Sequence, residues 1–139
     1  MTEYRLYLPR NPAWVPQQAL DFQAECRRIL LRDLGLTGLV PDISTTSYTY
    51  KYFPNIDTVK VMLARITPFL FSFEPSTYVT VDGMEDRTDA FRAWLDVRIT
   101  GTAEIAVVAY APATGGPMTR HTIVAFDNKR DATLFRLWA

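Results

Sequence analysis

Apolar and polar residues alternate along this chain in two rhythms, one of period two and one of period three to four, and the switches between them mark its elements. Tyr4, Leu6 and Leu8 alternate with Arg5, Tyr7 and Pro9, which predicts a first strand with one apolar face. From about Pro16 to Leu34 the pattern is helical. Ala19, Leu20, Phe22, Ala24, Cys26, Ile29, Leu30, Leu31 and Leu34 cover a broad arc opposite Gln17, Asp21, Glu25, Arg28 and Arg32. Pro16 suits the first helical position and Gly35 the residue just past the end. Val15 precedes Pro16 and has no side-chain acceptor with which to cap the helix. The width of the arc predicts two neighbours for this helix.

Leu36–Ser44 reads as a loop carrying Gly38 and Pro41. The stretch TTSYTYKYF then alternates, with Tyr48, Tyr50 and Tyr52 on one face and Thr49, Lys51 and Phe53 on the other. Residues 56–66 fit two templates. Ile56, Val59, Met62, Leu63 and Ile66 make a helical stripe with Asn55 or Asp57 as cap, whereas Val59, Val61 and Leu63 fit a strand; the helical reading accounts for more residues. Phe69, Phe71 and Phe73 alternate and lead across EPST to Tyr78–Val81, which predicts two strands joined by a short turn. Asp86–Val97 predicts a short helix with Ala90, Phe91, Trp94 and Leu95 at helical spacing. Thr102–Ala111 and Met118–Phe126 flank ATGGP, the strongest hairpin signal in the chain. After Phe126, the helix start Asp127–Asn128 opens an amphipathic segment with Ala132, Leu134, Phe135, Leu137 and Trp138. Docking of this segment is expected, because otherwise Phe135 and Trp138 stand in water.

Interspersed helices and strands with at least one hairpin predict an α+β fold: a mainly antiparallel sheet of about five or six strands with two to four helices, on one face of it. The length, 139 residues, fits a single globular domain spanning 1–139. The 48% hydrophobic content and zero net charge exclude the composition of a disordered chain. Residues 1–70 carry eight Lys/Arg and six Asp/Glu, and residues 71–139 seven and nine. That asymmetry is too weak for a duplex-DNA binder or a DNA mimic. The single cysteine, Cys26, leaves no intramolecular disulfide. The opening MTEYRLYLPR lacks the apolar run of a signal peptide, and no stretch reaches the roughly 18 apolar residues of a spanning helix. These readings predict a cytoplasmic protein without a membrane segment.

The glycine patterns of phosphate and dinucleotide loops are absent, as are G-x-S-x-G, H-E-x-x-H and C-x-x-C. No catalytic set, cofactor or metal is therefore expected. His121 is the one histidine and would be the general base of any enzyme here. Cys26 falls in the apolar arc of the first helix, where a thiol acts as a small hydrophobe. Asp82, Glu85, Asp86 and Asp89 gather four carboxylates in eight residues, without the spacing of a calcium loop. At a turn and first helical turn they also complement the helix dipole.

Tyr48, Tyr50, Lys51 and Tyr52, followed by Phe53, form the most suggestive cluster. Such residues pack half-buried strands, anchor protein interfaces, or stack unpaired bases. The closing FDNKRDATLFRLWA resembles an ending of small tailed-bacteriophage proteins. In that ending a strand-terminal Phe (here Phe126) leads into Asp127–Asn128, then Asp131–Ala132, then Phe135, Arg136, Leu137 and Trp138. The resemblance implies a phage accessory protein that binds and redirects a host component; it carries no catalytic residues. The first expectation is thus a non-enzymatic protein-binding module using Tyr48, Tyr50, Lys51 and Tyr52, its partner a host protein or a second copy. Single-stranded nucleic-acid binding through Tyr48–Phe53 is the second. An enzyme using His121 or the Asp82–Asp89 carboxylates is the third, and it requires those groups to share a concave pocket.

Overall fold

The computed structural model describes residues 3–9, 14–35, 41–43, 47–83, 85 and 87–139, with the backbone alone over 8–9, 41–43 and 47–52. Six strands, β1 (Tyr4–Pro9), β2 (Pro41–Ile43), β3 (Ser47–Phe53), β4 (Thr77–Gly83), β5 (Ala103–Pro112) and β6 (Thr119–Phe126), form one sheet in the order β2-β3-β1-β5-β6-β4. Every pairing is antiparallel. Four helices accompany it: α1 (Pro16–Arg28), α2 (Ile56–Ile66), α3 (Thr88–Arg98) and α4 (Lys129–Trp138). The class is the expected α+β one. Because β4 and β5 both run antiparallel to β6, the connection through α3 joins two mutually parallel strands with β6 laid between them.

Helices cover both faces of the sheet, which corrects the expectation of one. The reason lies in β6, where five consecutive residues, Thr122–Phe126, are buried. Successive side chains on a strand point to opposite faces, so such a run needs apolar cover on each side. On one face Leu6, Phe53, Val108, Ile123 and Ala125 pack with Phe22, Cys26 and Ile29 of the first helical segment and with Val59, Met62 and Ile66 of α2. On the other, Val79, Val124 and Phe126 pack with Phe91 and Leu95 of α3 and with Ala132 and Phe135 of α4.

Local chemistry explains most boundaries. The unsuitable cap at Val15 is rescued by Gln18, whose Oε1 accepts the Val15 N–H at 3.0 Å. The first helix continues beyond α1 as a π-helical turn, Ile29–Asp33, and ends at Gly35, whose φ of +65° favours glycine. Its buried stripe is narrower than the predicted arc, since Leu20 and Leu31 are exposed. Residues 56–66 are helical, capped by the Asn55 carboxamide on the Thr58 N–H at 2.9 Å. Gly115 and Gly116 turn the β5–β6 hairpin with φ of +105° and +137°.

Two predicted segments differ. Phe69–Phe73 is not a strand: Thr67–Phe69 is a 3₁₀ turn, and residues 70–73 continue as bends with Leu70 and Phe71 buried. The Ser72 N–H and hydroxyl donate to the Glu104 carboxylate instead of to a neighbouring strand. Pro41–Ile43, read as loop, is β2, and it pairs with β3. Three residues of Pro, Asp and Ile are too short to show a period of two.

Candidate functional site

Two surfaces concentrate exposed or polar side chains beyond what folding uses. The first is the seam between α3 and α4, where rings from both helices meet. α4 carries five large or small apolar residues in ten, but only Ala132 and Phe135 are fully buried against the sheet. Leu134, Leu137 and Trp138 occupy its flank and are 38%, 80% and 45% exposed. On α3, Trp94 and the 78% exposed Val97 share a flank at i,i+3 spacing. The two flanks meet at a stacked pair, Trp94 on Trp138, with centroids 5.3 Å apart and planes 19° from parallel. Beneath it, Phe135 contacts Phe91 edge-on at 5.0 Å and Trp94 at 5.5 Å. The rings thus form a ladder from sheet to solvent. The buried rungs hold the helices and the outermost one is half open to water.

Charge on α4 is one-sided. Lys129, Arg130 and Arg136 are exposed, whereas the single carboxylate, Asp131, is fully buried. Asp131 ties α4 to the loop after α3. Its carboxylate accepts the Gly101 N–H at 2.9 Å, the Thr100 N–H at 3.2 Å and the Asn128 Nδ2 at 2.9 Å. Burial pushes this carboxyl up, but the hydrogen bonds from Asn128, Gly101 and Thr100 outweigh it, and the group sits below the usual carboxylate range. The approach is close: a Cβ on Gly101 would lie 2.2 Å from the Asp127 Oδ1 and 2.5 Å from the Asn128 Nδ2, so both side chains would have to shift. This corner is structural. It fixes α4, and its negative charge is spent inside.

The second surface is a cleft of about 260 Å³ on the opposite face of the sheet, between the flank of α2 and strands β4, β5 and β6. Leu63, Ala64, Val108 and Ile123 make its apolar walls, and Lys60 and His121 are its ionisable groups. The register places Asp82 directly beside His121 across the β4–β6 pair, and the Asp82 carboxylate meets His121 Nδ1. The Tyr110 ring lies 5.4 Å from the imidazole, tilted 31° to it. Thr67 also lines the cleft, but its hydroxyl donates to the Leu63 carbonyl at 2.7 Å.

The side chains of Tyr48, Tyr50, Lys51 and Tyr52 lie outside the described residues. The backbone of Tyr48 and Tyr50 does not lie at a sheet edge, since β3 pairs with β1 on one side and with β2 over Tyr48–Tyr50 on the other. Leu6 pairs with Tyr50 and Tyr4 with Phe53, so β3 carries one extra residue here and strict alternation breaks. Cys26 is fully buried. The carboxylate cluster is dispersed: Asp82 serves His121, Asp89 sits in the first turn of α3, Glu85 is exposed, and Asp86 lies outside the described residues. Among the described residues no three potential ligands converge on one point, and no helix is long and apolar enough to cross a membrane.

Docking of the terminal helix was the sequence expectation, and Phe135 is indeed sealed in, but Trp138 is only half covered. The excess of apolar residues on so short a helix was the available signal for an outward-facing flank. Trp94 and Val97 carried no such signal, because their exposure depends on where α4 lies. No family model, curated protein or solved structure matches the chain.

Proposed function

We propose that this protein is a non-enzymatic protein-binding module and that its contact surface is the α3–α4 seam. The observation that carries this reading is the Trp94–Trp138 stack, half open to solvent and flanked by the exposed Val97 and Leu137. Tryptophan is the residue most enriched where truncation costs an interface most, and a pre-stacked pair loses little side-chain freedom on binding. The solvent face of α4 bears Lys129, Arg130 and Arg136 and no carboxylate. The complementary occupant is an acidic amphipathic helix of another protein, with apolar residues against the seam and Asp or Glu at its margins. The stretch that resembles phage proteins supplies α4, so a phage-encoded modulator of a host protein is the biological form of this proposal.

A fluorescein-labelled peptide with Leu at helical spacing and Glu elsewhere is the probe, with a Lys-for-Glu version as control. The acidic peptide is expected to bind and the basic one to fail. Trp138→Ala is expected to weaken binding at least about tenfold, roughly 1.4 kcal/mol. Equal binding of both peptides, or no effect of Trp138→Ala, contradicts the proposal. Light scattering supplies a further check: a dimer that Leu137→Glu dissociates would assign the seam to a second copy instead.

A further inference from the structure

The cleft between α2 and the sheet belongs to a different face from the seam and is not needed by the protein-binding reading. Its composition is that of a small-ligand site: apolar walls with a few convergent polar groups. Four features bear on what it would take. The walls, Leu63, Ala64, Val108 and Ile123, present methyl and methylene groups alone. Lys60, exposed on α2, supplies a cation on one wall. His121 lines the cleft, and because its Nδ1 is taken by the Asp82 carboxylate, Nε2 is the ring nitrogen left for a ligand. The size, about 260 Å³, falls just below the range of drug-sized ligand pockets and so limits the occupant to a small molecule.

The geometry points to a binding site for a small carboxylic acid with a compact apolar body. The body fills the apolar walls and the carboxylate meets the Lys60 ammonium and His121 Nε2. Asp82 acts as a positioning residue: it accepts the Nδ1–H, sets the tautomer and holds the ring at its angle. The proton balance is simple. An acid that arrives protonated passes its proton to Nε2, and the resulting imidazolium lies between the Asp82 carboxylate and the ligand carboxylate. An acid that arrives ionised binds the ring already carrying both protons. In either case the ligand carboxylate accepts charge-assisted hydrogen bonds from His121 Nε2–H and the Lys60 ammonium, stronger than their neutral counterparts. No bond other than O–H or N–H changes, so this is binding and not turnover.

Benzoate is the probe, with benzamide as its neutral isostere and benzylamine as its cationic counterpart. Each is titrated to about 10 mM, where a site of roughly millimolar affinity is nearly filled, and followed by backbone amide NMR shifts. Benzoate is expected to move the amides of Lys60, Thr80 and His121 in a saturable way, with benzamide at least about tenfold weaker and benzylamine silent. Lys60→Met, an exposed position, is expected to reduce benzoate affinity to the benzamide level in a protein with an otherwise unchanged spectrum. Asp82→Asn is expected to weaken benzoate while leaving benzamide as it was, which a purely structural role would not do. Absence of saturable shifts at the cleft, equal affinity for benzoate and benzamide, or indifference to Lys60→Met each overturns the assignment. The peptide experiment on the seam is untouched by any of these outcomes.

Discussion

The two faces of the sheet are closed in different ways. Under α3 and α4 the cover is aromatic: Phe91, Phe126 and Phe135 are fully buried, and the cluster continues outward through Trp94 to Trp138. Under the first helical segment and α2 the cover is mixed: Phe22 joins Cys26, Ile29, Val59, Met62 and Ile66, and beside α2 a cleft opens over β4, β5 and β6. The α3–α4 side leaves Val97, Leu137 and Trp138 exposed around its ring stack, whereas the α2 side leaves a recess lined by Leu63, Ala64, Val108 and Ile123.

Removing the centre of the aromatic face is the largest disturbance available. Phe135→Ala is expected to cost about 3–5 kcal/mol in denaturant unfolding, the range for deleting a buried ring. Next comes the corner that fixes α4. Asp131→Ala strands the Thr100 and Gly101 amides and is expected to cost about 2–4 kcal/mol. Folding holds the Asp131 carboxyl below its unfolded value, so its contribution is complete above about pH 4 and is lost as pH falls through the lower, folded value. Unfolding midpoints measured between about pH 5 and pH 2 are expected to fall less steeply in Asp131→Asn than in the parent. Gly101→Ala, which drives a methyl group into Asp127 and Asn128, is expected to cost about 1–3 kcal/mol, the range for forced overpacking. The smallest effects belong to the outer surfaces. Leu137→Glu and Lys60→Met are each expected to stay within about 0.5 kcal/mol of the parent, because neither side chain holds the fold.

The parts of this architecture visible in the sequence are those set by local chemistry. ATGGP with apolar runs on either side specifies the β5–β6 hairpin, and Asn55 and Asn128 announce their helices through short-range caps. The stripe Ile56–Val59–Met62–Leu63–Ile66 outweighs the strand alternative for the same reason: it explains more side chains. The misreadings arise where distant partners decide. Phe69, Phe71 and Phe73 look like a strand, but Glu104, 32 residues further on, takes the Ser72 N–H that a strand would need. The need for cover on both faces is written in the unbroken run Thr122–Phe126, but which helices supply it depends on the connection through α3 around β6, which no local pattern encodes. The cleft was legible only as its separate residues. His121 and Asp82 lie 39 positions apart and meet because the β4–β6 register pairs Thr77 with Phe126. The seam was half legible: α4 carries more apolar side chains than one buried stripe accommodates, but the stack that uses the surplus depends on Trp94 from another helix.

On the proposed function, α4 does two jobs with two flanks, one holding the sheet and one meeting a partner. Leu137→Glu separates them. Its unfolding midpoint and its affinity for the acidic amphipathic peptide, measured on the same preparation, test the division directly. An unchanged midpoint with binding weakened at least about tenfold is the predicted pair of results. Unchanged binding, or a midpoint that falls as far as that of Phe135→Ala, contradicts it.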